Sequence, residues 1–239
     1  MKIKIGNIIA DEGEFFPFKE ALAKLSQVEF KKEHNYELLN TILKNEKNEI
    51  EIITIHSDVG KSAAAAATGF LIAKDCDYII NSGLSGAISK VGIDDIVASD
   101  SFIMSDFDVK AITRFPGSVS SCELPFFADE KLKSAFLRAY PAAKVGRLST
   151  ADSFICDKVI KNKIKEMGAT ACDMESAAIA CVCAKAEIPF FSFRRISDNA
   201  DDIAYDTYHE MNESNSKKLF EITIDYLKEI LNSDEFFNL

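Results

Sequence analysis

Apolar positions alternate over residues 2–10 and again over 49–56, the two-residue period of strands with one face in a core. A helix is predicted over 16–25, with Pro17 tolerated in its first turn. Residues 27–49 are polar and charged and read as a hairpin and surface loop. Val59-Gly60-Lys61 opens a helix over 62–73, and its run of small residues at 62–67 requires close packing against its neighbours. Residues 77–81 form a buried strand, and the Ser-Gly-Leu-Ser-Gly-Ala string at 82–87 reads as a glycine-punctuated turn. Strands are predicted up to 101 and over 143–149, and helices over 129–139 and 158–167. A small-residue helix over 177–186 is entered through Asp173-Met174-Glu175, acids that suit the positive end of its dipole. Pro189 leads into a short apolar strand, and a loop then carries Ser197-Asp198. The last element is a long amphipathic helix over 208–231, read as packing on a sheet. Strands alternating with helices predict the α/β class.

Composition narrows the function. The 239 residues, 47% hydrophobic and 28% charged, suit one globular domain spanning 1–239, because no Pro/Gly/Ser-rich linker divides the chain. A formal net charge of −10 argues against nucleic acid and membrane surfaces as partners. No apolar run reaches spanning length and the N-terminus turns acidic too early for a signal peptide, so a cytoplasmic location is expected. Six cysteines, at 76, 122, 156, 172, 181 and 183, include no CxxC pair and read as buried thiols. His34, His56 and His209 share no ligand spacing with Cys or acids, so they read as surface or packing residues and no metal is expected.

Glu175 and Asp198 fall at the edges of adjacent elements, and Asp198 lies beyond the carboxyl end of a strand, where open α/β sheets bind ligands. Locally they have a plainer reading, with Asp173 and Glu175 polarising a helix and Ser197-Asp198-Asn199 forming a polar turn. The whole string says more. D-M-E-S-A-A-I-A followed by P-F-x-x-x-R-x-I-S-D-x-A-D resembles the purine nucleoside phosphorylase/nucleosidase superfamily, and within it the 5'-methylthioadenosine/S-adenosylhomocysteine nucleosidases. Glu14-Phe15-Phe16-Pro17 matches that family's spacing from its last N-terminal acid to proline. Residues 82–87 resemble its N-T-G-x-x-G-G turn, with Leu84 in place of a small or hydroxyl residue. Residues 90–97 resemble K-V-G-D-I-V with one extra residue, and 150–155 resemble S-G-D-x-F-I. Ser105-Asp106-Phe107-Asp108-Val109 stands where relatives carry His-Asp-x-Asp-Val.

The resemblance implies a three-layer α/β/α sandwich with a central mixed β-sheet, nucleoside phosphorylase-like, acting as a homodimer without a cofactor. It implies hydrolysis of the N-glycosidic bond of 5'-methylthioadenosine or S-adenosylhomocysteine to adenine and the 5'-substituted ribose, with 5'-deoxyadenosine and aminofutalosine left open as substrates. Asp198 would protonate purine N7, Glu175 would hold the ribose hydroxyls, and Glu14, or Glu12 if the acidic turn is aligned differently, would activate water with Arg194. Phe154 would stack on adenine, and the Ile155 backbone would meet the base edge. Met174, Gly83 and Leu84 would border the ribose, with Ser197 beside Asp198. The segment 102–127 would cross the dimer interface and line the 5' pocket through Phe115, Pro116 and Phe126. Arg195 has no role in this scheme. Two other readings stay open: a nucleoside phosphorylase, which needs an anion site, and a catalytically silent protein that binds or stores nucleosides.

Overall fold

A computed structural model describes residues 1–25, 27–108 and 125–237, with the backbone alone for 211–215. Phe115 and Pro116 therefore lie outside the described residues.

The Ile-rich strand β1 (Lys2–Ile9) lies between two parallel neighbours, β4 (Glu49–His56) and β5 (Tyr78–Ala87). Strands β2 (Val28–Glu33) and β3 (Tyr36–Lys44) extend the sheet antiparallel beyond β4. The hairpin expected over 27–49 is present, but its second arm is a sheet strand that buries Leu38 and Leu39, not a surface loop. On the other side β5 pairs parallel with β10 (Phe190–Asp198), which runs antiparallel to β6 (Ile96–Met104). β6 pairs with β8 (Lys144–Thr150), β8 with the short β9 (Ala171–Asp173), and β9 returns to β5. The mixed sheet thus closes on itself through these five strands while four others extend from it. β7 (Phe126–Phe127) is a two-residue addition to β6 and places Phe126 against the core.

Helices cover this sheet in two groups. α1 (Glu12–Leu25) and α3 (Glu130–Ala139) pack on the long α6 (Ala204–Asn232), while α2 (Lys61–Ile72) packs on α5 (Ser176–Ala186). The close packing expected of α2 is visible at Gly6 of β1. A Cβ there would lie 2.7 Å from Ile79 Cδ1 and 2.9 Å from Leu71 Cδ1. α4 (Lys158–Glu166) covers a smaller apolar cluster through Ile164, which meets Ile155, Cys172 and Ala200 behind the site.

Three boundaries depart from the expectations and all bear on the site. α1 starts at Glu12, not at residue 16, because Asp11 caps it by accepting the Gly13 N–H at 2.7 Å. Pro17 consequently sits inside the helix and cannot donate to the Gly13 carbonyl. The Ser216 hydroxyl of α6 donates to that carbonyl instead, at 2.5 Å. Residues 82–87 are not a turn but a buried part of β5, paired with β10 from Ser82 to Gly86 and with β9 at Gly86 and Ala87. Ser197 and Asp198 end β10 after a register shift at Ile196, and do not lie in the loop beyond it.

Candidate active site

The C-terminal ends of β1, β5, β9 and β10 converge on a cavity of about 340 Å³. Its floor is built around Arg194, which is 2% exposed. A buried guanidinium persists only with charged and hydrogen-bonding partners. Its Nη2 lies 2.9 Å from Asp173 Oδ2, 3.7 Å from Glu175 Oε2 and 2.6 Å from Asn81 Oδ1. Space for it comes from Gly83 on the neighbouring strand, where a Cβ would fall 2.1 Å from Arg194 Nη1. Strand alternation turns the next residue away. Arg195 pairs with Asp94 at 2.6 Å, which accounts structurally for a side chain that the sequence left without a role.

Asp173 organises the start of α5. Its Oδ1 accepts from Thr150 Oγ1 at 2.5 Å and from the backbone N–H groups of Glu175 and Ser176 at 3.3 and 3.2 Å. The capping work is therefore done by Asp173, and Glu175, at the N-cap position, keeps its carboxylate for the cavity. Glu175 Oε1 accepts the Gly60 N–H at 3.1 Å. From the first turn of α1, Glu14 reaches the same floor and accepts the Leu84 N–H on Oε1 at 2.8 Å. Glu12 in that turn is exposed, so Glu14 is the acid that faces the cavity.

Burial of Glu14 raises its carboxyl to about 8, with Arg194 opposing the shift. Burial raises Glu175 to about 7, again against Arg194 and with Asp173 adding to the rise. One guanidinium faces three buried carboxylates, so both glutamates hold protons into the neutral range. Asp198, 2% exposed, is also raised by burial. The Ala200 N–H, donating to Oδ1 at 2.7 Å, and the Ser197 hydroxyl, donating to Oδ2 at 2.8 Å, counter that rise.

Phe154 and Ile155 form one wall from the loop after β8, with Cys172 and Gly86 behind them. Phe154 is 41% exposed and meets Tyr208 edge to face, with centroids 5.9 Å apart. Of the ten residues expected at the site, nine line the cavity; Gly83 stands behind Arg194 instead. Phe126 is not among the lining residues. Among the lining residues that were not expected are Asp11, and Tyr205, Tyr208 and His209 at the start of α6. The Tyr-x-x-Tyr-His spacing, which puts three rings on one helix face just after the S-D-x-A-D string, was the available signal. His209 is exposed and packs against the Tyr205 and Tyr208 rings, as a surface or packing histidine would, and it also lines the cavity. Among the described residues, no group of three or more His, Cys, Asp or Glu side chains is placed to hold a metal ion. Among the described residues, the lining includes no lysine and a single arginine, Arg194, which is already engaged by acids.

The chain matches the family model described as the phosphorylase superfamily over residues 4–232. The 5'-methylthioadenosine/S-adenosylhomocysteine nucleosidase of Shewanella loihica is 37% identical over 172 residues, covering 66% of this chain and 74% of that protein. Among solved structures, the S-adenosylhomocysteine nucleosidase of Streptococcus pyogenes in complex with 5-methylthiotubericidin superposes with a TM-score of 0.85 at 27% identity. That match covers 97% of this chain and 98% of that one. The Helicobacter pylori 5'-methylthioadenosine/S-adenosylhomocysteine nucleosidase also gives 0.85, at 25% identity and with coverage of 95% and 98%.

Proposed function

We propose that this chain, which belongs to the phosphorylase superfamily and within it to the 5'-methylthioadenosine/S-adenosylhomocysteine nucleosidases, performs its hydrolysis with the acids gathered around Arg194. The reaction cleaves the N-glycosidic bond of 5'-methylthioadenosine or S-adenosylhomocysteine to give adenine and the 5'-substituted ribose. The observation that carries the assignment of roles is the set of buried carboxylates whose pKa values are raised at the start of α1, at the N-cap of α5 and at the end of β10.

Asp198 is the general acid. As the C1'–N9 bond breaks, its electron pair passes into the purine, which takes the Asp198 proton at N7. Burial raises the Asp198 pKa and so favours the protonated form that this role needs. Ser197, at the cavity wall, orients the acid through its hydroxyl. Glu14 takes a proton from the water that attacks C1'; its raised pKa makes it a stronger base than an ordinary carboxylate. Arg194 fixes the adjoining acids. Glu175 accepts from the ribose hydroxyls and places negative charge near the cationic sugar. Met174 and Leu84 border the sugar, Phe154 stacks on the adenine ring, and the Ile155 backbone meets its edge.

An acidic floor whose arginine is already paired favours water over phosphate as the nucleophile. Among the described residues no helix is long and apolar enough to cross a membrane. A single cytoplasmic domain working as a homodimer completes this reading, and sedimentation of the purified protein tests the dimer. The reaction itself is tested by incubating the protein with methylthioadenosine in phosphate buffer and weighing the sugar product by mass spectrometry. Free methylthioribose is expected; a sugar 1-phosphate as the main product would reject the reading.

A further inference from the structure

Asp106 and Asp152 stand in two of the family-like strings, yet neither enters the chemistry above, and both are bound to Lys61 at the start of α2. Lys61 Nζ lies 2.6 Å from Asp106 Oδ1 and 3.5 Å from Asp152 Oδ2. The Lys61 backbone N–H donates to Asp152 Oδ1 at 2.8 Å, and the Asp152 N–H donates to Asp106 Oδ2 at 2.9 Å. Three segments distant in sequence are thereby joined two residues before Phe154.

The loop from Ala151 to Asp157 has no strand or helix of its own. The Ala151 N–H holds one end on the Asp173 carbonyl at 3.1 Å, and Asp157 caps α4 at the other. Between them Asp152 ties the loop to the rest of the fold. The amide preceding Lys61 completes the geometry, since the Gly60 N–H donates to Glu175 Oε1. Consecutive amides at the start of one helix thus hold the ribose-facing carboxylate and the loop that bears the aromatic wall. Gly60 turns the chain there with φ 104°, a conformation suited to glycine. Exposed ion pairs of this kind contribute little to stability, so their effect on geometry is separable from folding.

We propose that Asp152 is a positioning residue which, held by Lys61 and Asp106, sets Phe154 against the adenine face at a fixed distance from Glu175. The proposal rests on the reading of Phe154 as the adenine-stacking wall. It is tested by measuring kcat and KM for methylthioadenosine, the Kd of adenine by calorimetry, and Tm. The variants are Phe154→Ala, Asp152→Ala, Asp152→Asn and Lys61→Met. In Asp152→Ala, KM and the adenine Kd should rise about tenfold, with kcat within about twofold and Tm unchanged. Asp152→Asn keeps an acceptor for the Lys61 N–H and should recover most of the adenine affinity. Lys61→Met removes only the ammonium, leaves the loop sequence intact, and should show an intermediate loss. Unchanged adenine affinity in both Asp152→Ala and Lys61→Met, beside a weakened Phe154→Ala, would overturn the positioning role alone. Full adenine affinity in Phe154→Ala would overturn the stacking assignment beneath it. Parallel losses of kcat, adenine affinity and Tm in both Asp152 variants would mark the residue as merely structural and also overturn the proposal.

Discussion

Glu14 and Leu84 lie far apart in sequence, and a hydrogen bond of 2.8 Å from the Leu84 N–H to Glu14 Oε1 fixes the buried acid against β5. With its pKa at about 8, Glu14 must lose a proton before it can accept one from water. The kcat/KM profile should therefore rise with pH toward about 8. In Glu14→Gln the rising limb should be lost and turnover should drop at least roughly a hundred-fold, while nucleoside binding persists. Steady-state rates across pH, with calorimetric binding of a nonhydrolysable nucleoside, check both outcomes.

The same shift has a consequence for stability. A carboxyl raised on folding holds its proton more tightly in the folded chain than in the unfolded one, so stability is lost as pH rises from the ordinary carboxylate range through about 8. Glu14→Gln has no such proton to lose. Its Tm should decline less than that of the parent protein between about pH 5 and about pH 9. Glu175 and Asp198 are raised in the same direction, so the decline should shrink without vanishing. Calorimetric melts of both proteins across this range provide the comparison.

Asp198→Asn should fold with an unchanged Tm, because the amide can still accept the Ala200 N–H. It cannot release a proton to the purine, and turnover of methylthioadenosine should fall by roughly a hundred-fold or more. Near-normal turnover would remove Asp198 from the role of acid.

Glu175→Ala should divide the nucleoside into its parts. Adenine should bind as before, whereas a nonhydrolysable nucleoside should bind about tenfold more weakly or worse, through loss of hydrogen bonds to a charged acceptor. Calorimetric titration with each ligand decides; equal losses for the two would reject the assignment of Glu175 to the ribose.

Gly83→Ala tests the space behind Arg194. The added methyl would stand 2.1 Å from Nη1 and 3.2 Å from Glu14 Oε2, so the guanidinium must move within a packed cluster of acids. Overpacking of this kind costs about 1–3 kcal/mol, and both Tm and kcat should fall. A variant with parental kcat would show that the placement of Arg194 does not matter to turnover.

The sequence shows the regular part of the fold well wherever one period dominates, as in β1, β4, α3 and α4. It misleads at residues 82–87, where two glycines imitate a turn. Their lack of side chains admits Arg194 at Gly83, and at Gly86 the space lies beside Asp198 and Cys172. At α1 the eye is drawn to Pro17, whereas the helix begins at the Asp11 cap and is completed across Pro17 by a hydroxyl from α6. β9 is too short to carry any pattern, and it owes its existence to pairing with β5 and β8. Glu14, Glu175 and Asp198 were visible through the family strings. The organising part played by Asp173 was not, because a residue that caps a helix and pairs with a distant arginine reads locally as a cap alone. Tyr205, Tyr208 and His209 escaped for a related reason, since the amphipathic length of α6 suggests packing and conceals that its first turns stand over the cavity.

The closed ring of strands also sets an order of events on the ribosome. β10 takes its place between β5 and β6, yet it is synthesised long after both. Until it arrives, the emerging chain carries two strand edges with open hydrogen-bonding groups, and Glu14, made among the first residues, has neither Arg194 nor Asp198 beside it. A chain stalled before β10 therefore has no chemistry to offer and presents the edges most prone to pairing with other chains. Translation must reach the end of β10 before the protein can either work or hide these edges.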